Sequence, residues 1–222
     1  MIWTWIVKGG PVMVPILFGS VLGFAILFER VVALYGISLE EGQACGRRVL
    51  QEMRQGRLAE AISATRKVEH PVGPVLQRGL EQWGQPLPVM ERAMEQAAQL
   101  QVRQLERWLG GLASVVTVEP MLGFLGTITG LIRAFMAWET AGARVTVSQL
   151  AAGIYEAMIT TAAGLIIAIP LLMAHNLFVS RIKRVAGQLA DAANDLLDLY
   201  ARLQSKEHPY ESSLHSRVPA QS

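Results

Sequence analysis

Charge and cysteine are both scarce in this sequence, and each shortage excludes a class of protein. Charged residues make up 17% of the 222 residues, whereas an average soluble domain has about 25%. The single cysteine, Cys45, cannot form an internal disulfide or a cysteine-based zinc site. The 20 basic and 18 acidic residues leave a net charge of +2, which is too small for a nucleic-acid-binding surface. We therefore expect no nucleic-acid partner.

The motifs of soluble enzymes and of cofactor sites are also missing. The glycines Gly123 and Gly126 are not followed by the Gly-Lys-Ser/Thr of a phosphate loop. No His-Glu-x-x-His and no Gly-x-Ser-x-Gly motif occurs. The histidines are scattered without the spacing of metal ligands. The sequence thus predicts a protein that is not an enzyme and that holds neither a cofactor nor a metal.

Long apolar runs are what the sequence does contain. Residues 11–28 carry no charge, residues 112–132 carry one, and residues 157–180 carry none if His175 is neutral. About 20 apolar residues cross the hydrocarbon core of a membrane. The first run is longer than the core of a signal peptide and is not followed by a small-x-small cleavage site, so we expect it to be retained. The predicted fold is an all-α integral membrane protein with three transmembrane helices.

The distribution of Lys and Arg predicts the orientation of the chain. The segment between the first two runs has 11 basic residues and the segment from Arg181 has six, whereas residues 1–10 have one. Cytoplasmic flanks carry the excess of Lys and Arg. The charge distribution therefore predicts that the N-terminus lies outside and the C-terminus lies in the cytoplasm. The predicted organisation is an external N-terminus (1–10), transmembrane helix 1 (11–28), a cytoplasmic helical domain (29–107), transmembrane helix 2 (108–137), an external loop (138–146), transmembrane helix 3 (147–180), a cytoplasmic helix (181–203) and a disordered tail (204–222).

Helical signals continue outside the membrane runs. Ser38 and Glu41 have the spacing of a capping box at the start of a helix over 37–54. From Met90 onwards apolar residues recur every three to four positions with no stop signal, which predicts one helix over about 89–137, about 70 Å long. A further apolar stripe follows the third run. These stripes favour oligomerisation, with packing inside one chain as the alternative.

Small residues lie on one face of each of the last two runs. In membranes such faces allow helices to approach closely, and we predict this packing role for Pro120, Gly123, Gly126, Gly130 and Gly164. Thr127 and Thr161 lie on the same faces, about 15 and 21 Å below the outer ends of antiparallel helices. Their hydroxyls could form one polar layer that holds water or passes a proton. The alternative is a hydrogen bond from each threonine to its own helix.

Two acids fall inside the apolar runs. Glu156 lies about nine residues into its helix, where a carboxylate costs a few kcal/mol and marks a functional site by default. It must face protein or water, pair with a base, or carry a proton. Glu119 lies near the inner end of its helix. We expect its side chain to reach the cytoplasmic interface or to pair with Arg181 or Lys183, with a titratable group at the inner mouth of a pore as the alternative.

Two stretches carry a resemblance to a known family. Residues 119–132, EPMLGFLGTITGLI, resemble the second-span signature APLLGLLGTVxGMI of the MotA/TolQ/ExbB proton-channel family. Residues 153–170, GIYEAMITTAAGLIIAIP, resemble its third-span signature GIxEALxxTAxGLxxAIP. The three runs and the helical insert resemble the ExbB and TolQ branch most. Glu119 departs from the family, which usually has a small or hydroxylated residue there.

The resemblance implies an energy-transducing complex in a bacterial inner membrane, with the external segments in the periplasm. It implies a homo-oligomeric ring, a pentamer, around a single-span ExbD- or TolR-like partner that supplies a membrane aspartate. A TonB- or TolA-like protein would carry the energy to the outer membrane. The implied pathway residues are Thr127, Thr161, Glu156 and the adjacent Thr160.

Three alternatives remain at this stage. A sodium-driven version of the same motor would use the hydroxyls as ion ligands. A non-conducting membrane scaffold would depend on the glycines and not on Glu156. A solute transporter is disfavoured because three helices leave no visible inverted repeat.

Overall fold

The computed structural model describes residues 9–142 and 146–207. Within these residues it is all-helical and contains no strand, which confirms the all-α part of the predicted fold class. The helices are α1 (Met13–Tyr35), α2 (Leu39–Arg54), α3 (Leu58–Arg66), α4 (Val72–Glu81), α5 (Leu87–Leu105), α6 (Leu109–Ala141) and α7 (Val147–Glu207). Three stretches, in α1, α6 and α7, are long and apolar enough to cross a membrane. They correspond to the three predicted spans.

The chain divides into two compact units. The first unit comprises Met1–Leu34 and Glu106–Ser180, and the second comprises Tyr35–Leu105 and Arg181–Ser222. The first unit therefore holds all three apolar stretches. The second holds the helical insert together with the last part of α7.

In the first unit, α1 packs against both α6 and α7. Gly23 makes this approach possible, because a Cβ added there would lie 2.5 Å from Leu171 and 3.1 Å from Val115. Near its start α1 also buries Ile16 beside Ile159 of α7. The outer surfaces stay apolar: Phe28 is 72% exposed and Met121 is 65% exposed. Soluble proteins rarely leave such patches open to water, so this surface suits lipid or other protein chains.

The second unit has an ordinary hydrophobic core built from α2, α3, α4, α5 and the end of α7. Val49, Leu76, Met90 and Leu196 are fully buried there. A hydrogen bond also holds the end of α7 against the segment before α5, since the Tyr200 hydroxyl donates to the carbonyl of Gln85 at 2.7 Å. The apolar stripe that follows the third run is therefore buried, at least in part, by packing within one chain.

The prediction of one continuous helix over 89–137 is wrong. Helix α5 ends at Leu105 and α6 begins at Leu109. Trp108 between them has a φ of 66°, a left-handed conformation that a right-handed helix cannot contain. Gly110 and Gly111 follow directly, and their low helix propensity weakens any continuation across this point.

Other boundaries differ in smaller ways. Ser38 is the N-cap of α2, but its side chain makes no capping hydrogen bond, so the predicted capping box is not formed. Helix α7 continues to Glu207, which places the first four residues of the predicted tail in a helix. The predicted external segments and tail fall partly on residues 1–8, 143–145 and 208–222, which lie outside the described residues.

Candidate functional site

Helices α6 and α7 lie against each other in antiparallel register through their small residues. A Cβ added to Gly123 would lie 3.1 Å from the Thr161 Cα, and one added to Gly130 would lie 2.7 Å from the Gly153 carbonyl. At the other end, a Cβ on Gly164 would lie 2.6 Å from the Glu119 carbonyl. The distances at Gly130 and Gly164 are too short for any side chain, because the neighbours are backbone atoms that cannot rotate away, and the contact at Gly123 is tight. The glycines thus set how closely the two helices approach.

The predicted packing residues are not all used in the same way. Gly126 faces a side chain, since a Cβ added there would overlap the Oγ1 and Cβ atoms of Thr160. Pro120 is half-buried and lines a surface recess of α6 together with Met121 and Phe124. The structure therefore brings Gly123, Gly126, Gly130 and Gly164 to the helix contact, whereas Pro120 borders an apolar outer surface.

The two threonines that the sequence placed at one level are in direct contact. The Thr127 and Thr161 hydroxyls are hydrogen-bonded to each other. The Thr161 hydroxyl also donates to the Gly123 carbonyl at 2.9 Å. The Thr127 hydroxyl lies 3.4 Å from the carbonyls of Gly123 and Ala157, so either hydroxyl of the pair can be the donor in the shared bond. The result is a short hydrogen-bonded chain that connects the two helices.

Thr160 belongs to the packing of the helices and not to this hydroxyl chain. Its side chain is fully buried, and its hydroxyl donates to carbonyls of its own helix, those of Ala157 at 3.0 Å and Glu156 at 3.1 Å. A threonine satisfied in this way has no free donor for a neighbour. The structure thus separates Thr160 from the adjacent Thr161.

Glu156 has a basic partner that the sequence did not assign to it. Arg133 donates from Nη1 to Glu156 Oε1 at 2.6 Å. The Glu156 side chain is 14% exposed and the Arg133 side chain is 47% exposed. Gly10, with a φ of +66°, lies against the pair so closely that an added Cβ would overlap Oε1. A recess of about 560 Å³ opens beside the pair, lined by Ser148, Ala151, Ala152 and Tyr155 among others.

Arg133 was not proposed as a partner of Glu156, although it lies within the predicted transmembrane helix 2 (108–137), because the sequence alone did not show which residue of α7 it faces. Helix α6 continues four residues beyond that prediction, to Ala141. The available signal was the absence of any glycine or proline between Gly130 and Gly142, which leaves nothing to stop the helix. A helix of that length carries Arg133 beside the deep carboxyl of α7.

Glu119 is buried between helices. The residue is 1% exposed, and its Oε2 has no hydrogen-bond partner among the described residues. Gly19 of α1 leaves the room for this side chain, because a Cβ there would overlap Glu119 Oε1. The expectation that Glu119 reaches the cytoplasmic interface is wrong, since the side chain turns into the helix contact. Pairing with Arg181 or Lys183, which belong to the second unit, stays a prediction.

The sequence profile of the MotA/TolQ/ExbB proton channel family matches residues 67–191. This chain belongs to the MotA/TolQ/ExbB family. The matched segment includes the contact between α6 and α7, from Glu119 to Gly164. The residues of the site described above therefore all lie within the part of the chain that matches the family. The resemblance seen in the two span signatures is confirmed.

Individual relatives agree with the family assignment. The chain is 30% identical to "Putative biopolymer transport protein ExbB-like 1" of Synechocystis sp., covering 90% of this chain and 80% of that protein. It is 27% identical to "Biopolymer transport protein ExbB" of Neisseria meningitidis serogroup A, covering 90% and 96%. It is 39% identical to "Tol-Pal system protein TolQ" of Haemophilus influenzae, covering 48% and 47%. The relatives therefore support the ExbB/TolQ branch of the family.

Proposed function

We propose that this chain is an ExbB/TolQ-like subunit of an inner-membrane motor driven by the proton-motive force. It forms a proton channel with a single-span ExbD/TolR-like partner and energises outer-membrane transport or envelope maintenance through a TonB- or TolA-like protein. The observation that carries the proposal is the hydroxyl pair of Thr127 and Thr161. Membership of the proton channel family supports the same function.

The hydroxyl pair suits proton transfer because each hydroxyl both donates and accepts. When the pair accepts a proton from water or an acid on one side and releases one of its own protons to an acceptor on the other side, a proton crosses the pair without movement of heavy atoms. Glu156 lies five residues from Thr161 on α7, about 7.5 Å along the helix, which is too far for a direct hydrogen bond. Water or a partner side chain must bridge that gap, and the membrane aspartate of an ExbD/TolR-like partner fits this position chemically.

The Arg133–Glu156 pair gives the outer end of this pathway a fixed charge arrangement. In the proposed orientation the N-terminus is periplasmic and the C-terminus is cytoplasmic, so the pair lies towards the periplasm. The adjacent recess of about 560 Å³ gives water a way to reach Glu156. Protons would enter there and proceed towards the threonines.

The exposed apolar surfaces support assembly with other chains in the bilayer. Phe124 and Ile128 of α6 and Ile166 and Ile169 of α7 are all more than two-fifths exposed. In a homo-oligomeric ring, a pentamer by analogy with the family, neighbouring copies, the partner helices and lipid would cover these side chains. The partner helices would lie inside the ring, next to α6 and α7.

Proton flux in reconstituted vesicles tests the proposal. The chain and its ExbD/TolR-like partner are co-purified, placed in liposomes and exposed to a pH gradient while a pH-sensitive dye is read. We expect Thr161→Val and Glu156→Ala to abolish flux, with complex assembly retained on size-exclusion chromatography. Thr117→Val is the matched control, because the Thr117 hydroxyl is exposed and donates only to the Ala113 carbonyl of its own helix.

The alternatives predict different results in the same vesicles. Flux that follows a sodium gradient and not a pH gradient would establish the sodium-driven version. Wild-type flux in both Thr161→Val and Glu156→Ala would contradict the proposed pathway. If Gly123→Leu then proved to be the damaging change, the protein would be a scaffold.

A further inference from the structure

Glu119 is a buried acid that the proposed proton pathway does not use. It is 1% exposed, and its Oε2 has no hydrogen-bond partner among residues 9–142 and 146–207. Within the described residues of the first unit, no ion pair includes it. Glu156, in contrast, accepts a charged hydrogen bond from Arg133. The two membrane acids therefore lie in opposite electrostatic surroundings.

Two glycines lie against Glu119. Gly19 of α1 contacts the carboxyl group, because a Cβ there would overlap Oε1, and Gly164 of α7 lies against the Glu119 carbonyl. Neither glycine has a side chain that could donate a hydrogen bond. The backbone amides in the middle of a helix are already bonded to carbonyls four residues earlier. The slot therefore accommodates the volume of a carboxyl group, and Glu119 Oε2 receives no hydrogen bond there from the described residues.

A carboxylate buried without a partner takes up a proton instead of remaining charged. We propose that Glu119 is a protonated carboxylic acid and thus a separate proton-binding site between α1, α6 and α7. It lies eight residues from Thr127, about 12 Å along α6. Loss of this proton would leave a charge in the slot, so proton binding at Glu119 and the packing of Gly19 against α6 are coupled. The inference goes beyond the proposed function, because it requires no conduction through the threonines.

Infrared spectroscopy of the full chain in lipid tests the protonation directly. A protonated carboxylic acid has a carbonyl stretch that an ionised carboxylate lacks. At neutral pH, we expect this band to weaken by one carboxyl group in Glu119→Gln, a neutral substitution of similar shape. Glu139→Gln is the control, because Glu139 is an exposed acid on the same helix, and it should leave the band unchanged. An unchanged band in Glu119→Gln means an ionised Glu119, as pairing with Arg181 or Lys183 would produce, and overturns the proposal.

A second measurement needs no substitution. Dicyclohexylcarbodiimide is apolar and modifies protonated carboxyl groups, so we expect it to modify the wild-type chain at Glu119, as located by peptide mass spectrometry. Recovery of the Glu119 peptide in unmodified form after prolonged exposure contradicts the proposal. Neither measurement reads proton flux. A failure of the conduction experiment therefore leaves this inference standing, and a failure here leaves the conduction proposal standing.

Discussion

Arg133 of α6 and Glu156 of α7 form an ion pair with 2.6 Å between Nη1 and Oε1. The carboxylate is mostly enclosed while the guanidinium remains half-exposed. Arginine suits this arrangement, because its apolar stem can lie along the helix while the charged group reaches water. The pair links the two helices that hold the threonine pair, so its loss should affect stability and, under the proposed function, conduction.

Removal of Arg133 should be more harmful than removal of both charges. Arg133→Gln leaves Glu156 enclosed without a counter-charge, and we expect a loss of about 1–3 kcal/mol, between the values for exposed and buried pairs. The double variant Arg133→Gln with Glu156→Gln should regain most of that loss, because two amides can hydrogen-bond to each other. Thermal unfolding of the purified chain measures both. Equal stability of the wild type and Arg133→Gln would show that the pair contributes nothing.

The threonine pair should behave as one unit in a double-mutant cycle. Thr127→Val and Thr161→Val each break the shared hydrogen bond, which contributes about 1 kcal/mol. The double variant should therefore lose about 1 kcal/mol less than the sum of the two single losses. Chemical unfolding in detergent gives the three values. Thr117→Val combined with Thr161→Val is the control pair and should be additive; full additivity in Thr127→Val with Thr161→Val would mean that the hydroxyls are not coupled.

Two glycines on the same helix should respond in opposite ways to alanine. Gly130→Ala brings a methyl group to 2.7 Å from the Gly153 carbonyl, and the helices must separate, so the amount of chain recovered from the membrane should fall. Gly110→Ala meets nothing within 4 Å and should stabilise by up to about 1 kcal/mol through helix propensity. Membrane yield and unfolding temperature report the difference. Similar behaviour of both variants would argue against close packing at Gly130.

The second unit should lose stability in mild acid because of His70. This histidine is 2% exposed, its Nδ1 accepts from the Val72 amide at 3.2 Å, and its Nε2 has no partner in the described part of the chain. Burial lowers the pKa of His70, and the Glu41 carboxylate opposes that shift more weakly. The unfolded chain therefore binds the proton more readily than the folded chain. The stability is present above the unfolded pKa of about 6.5 and is lost as the pH falls through the lower folded pKa.

Hydrogen exchange of the α2 peptides at several pH values measures this effect, since the His70 ring lies against Gly42 of that helix. The protection factor, which corrects the exchange rate for the pH dependence of intrinsic exchange, should fall as the pH is lowered from about 7 to about 5, the range in which histidine titrates. His70→Asn keeps an acceptor near the Val72 amide but does not titrate, so its protection factor should depend less on pH. The same pH dependence in both proteins would assign the effect to other groups.

The membrane character, the three spans and the small faces of α6 and α7 were predictable because they depend on local composition and helical period. Hydropathy over about 20 residues identifies a span whatever it packs against. Gly123, Gly130, Thr127 and Thr161 recur at helical spacing, so their placement on facing surfaces followed from the antiparallel connection. The structure accordingly brings the two threonines together.

Only the tertiary structure decided what each charged group faces. The sequence allowed Glu119 to reach the interface, but the room beside Gly19 lets the carboxyl turn inward. It placed Arg133 within the second span but gave it no partner, and only the register of the two helices puts it beside Glu156. It also predicted an unbroken helix where Trp108 takes a left-handed conformation. A sequence pattern fixes the side of a helix on which a residue lies, whereas the partner depends on the packing of residues that are distant in the chain.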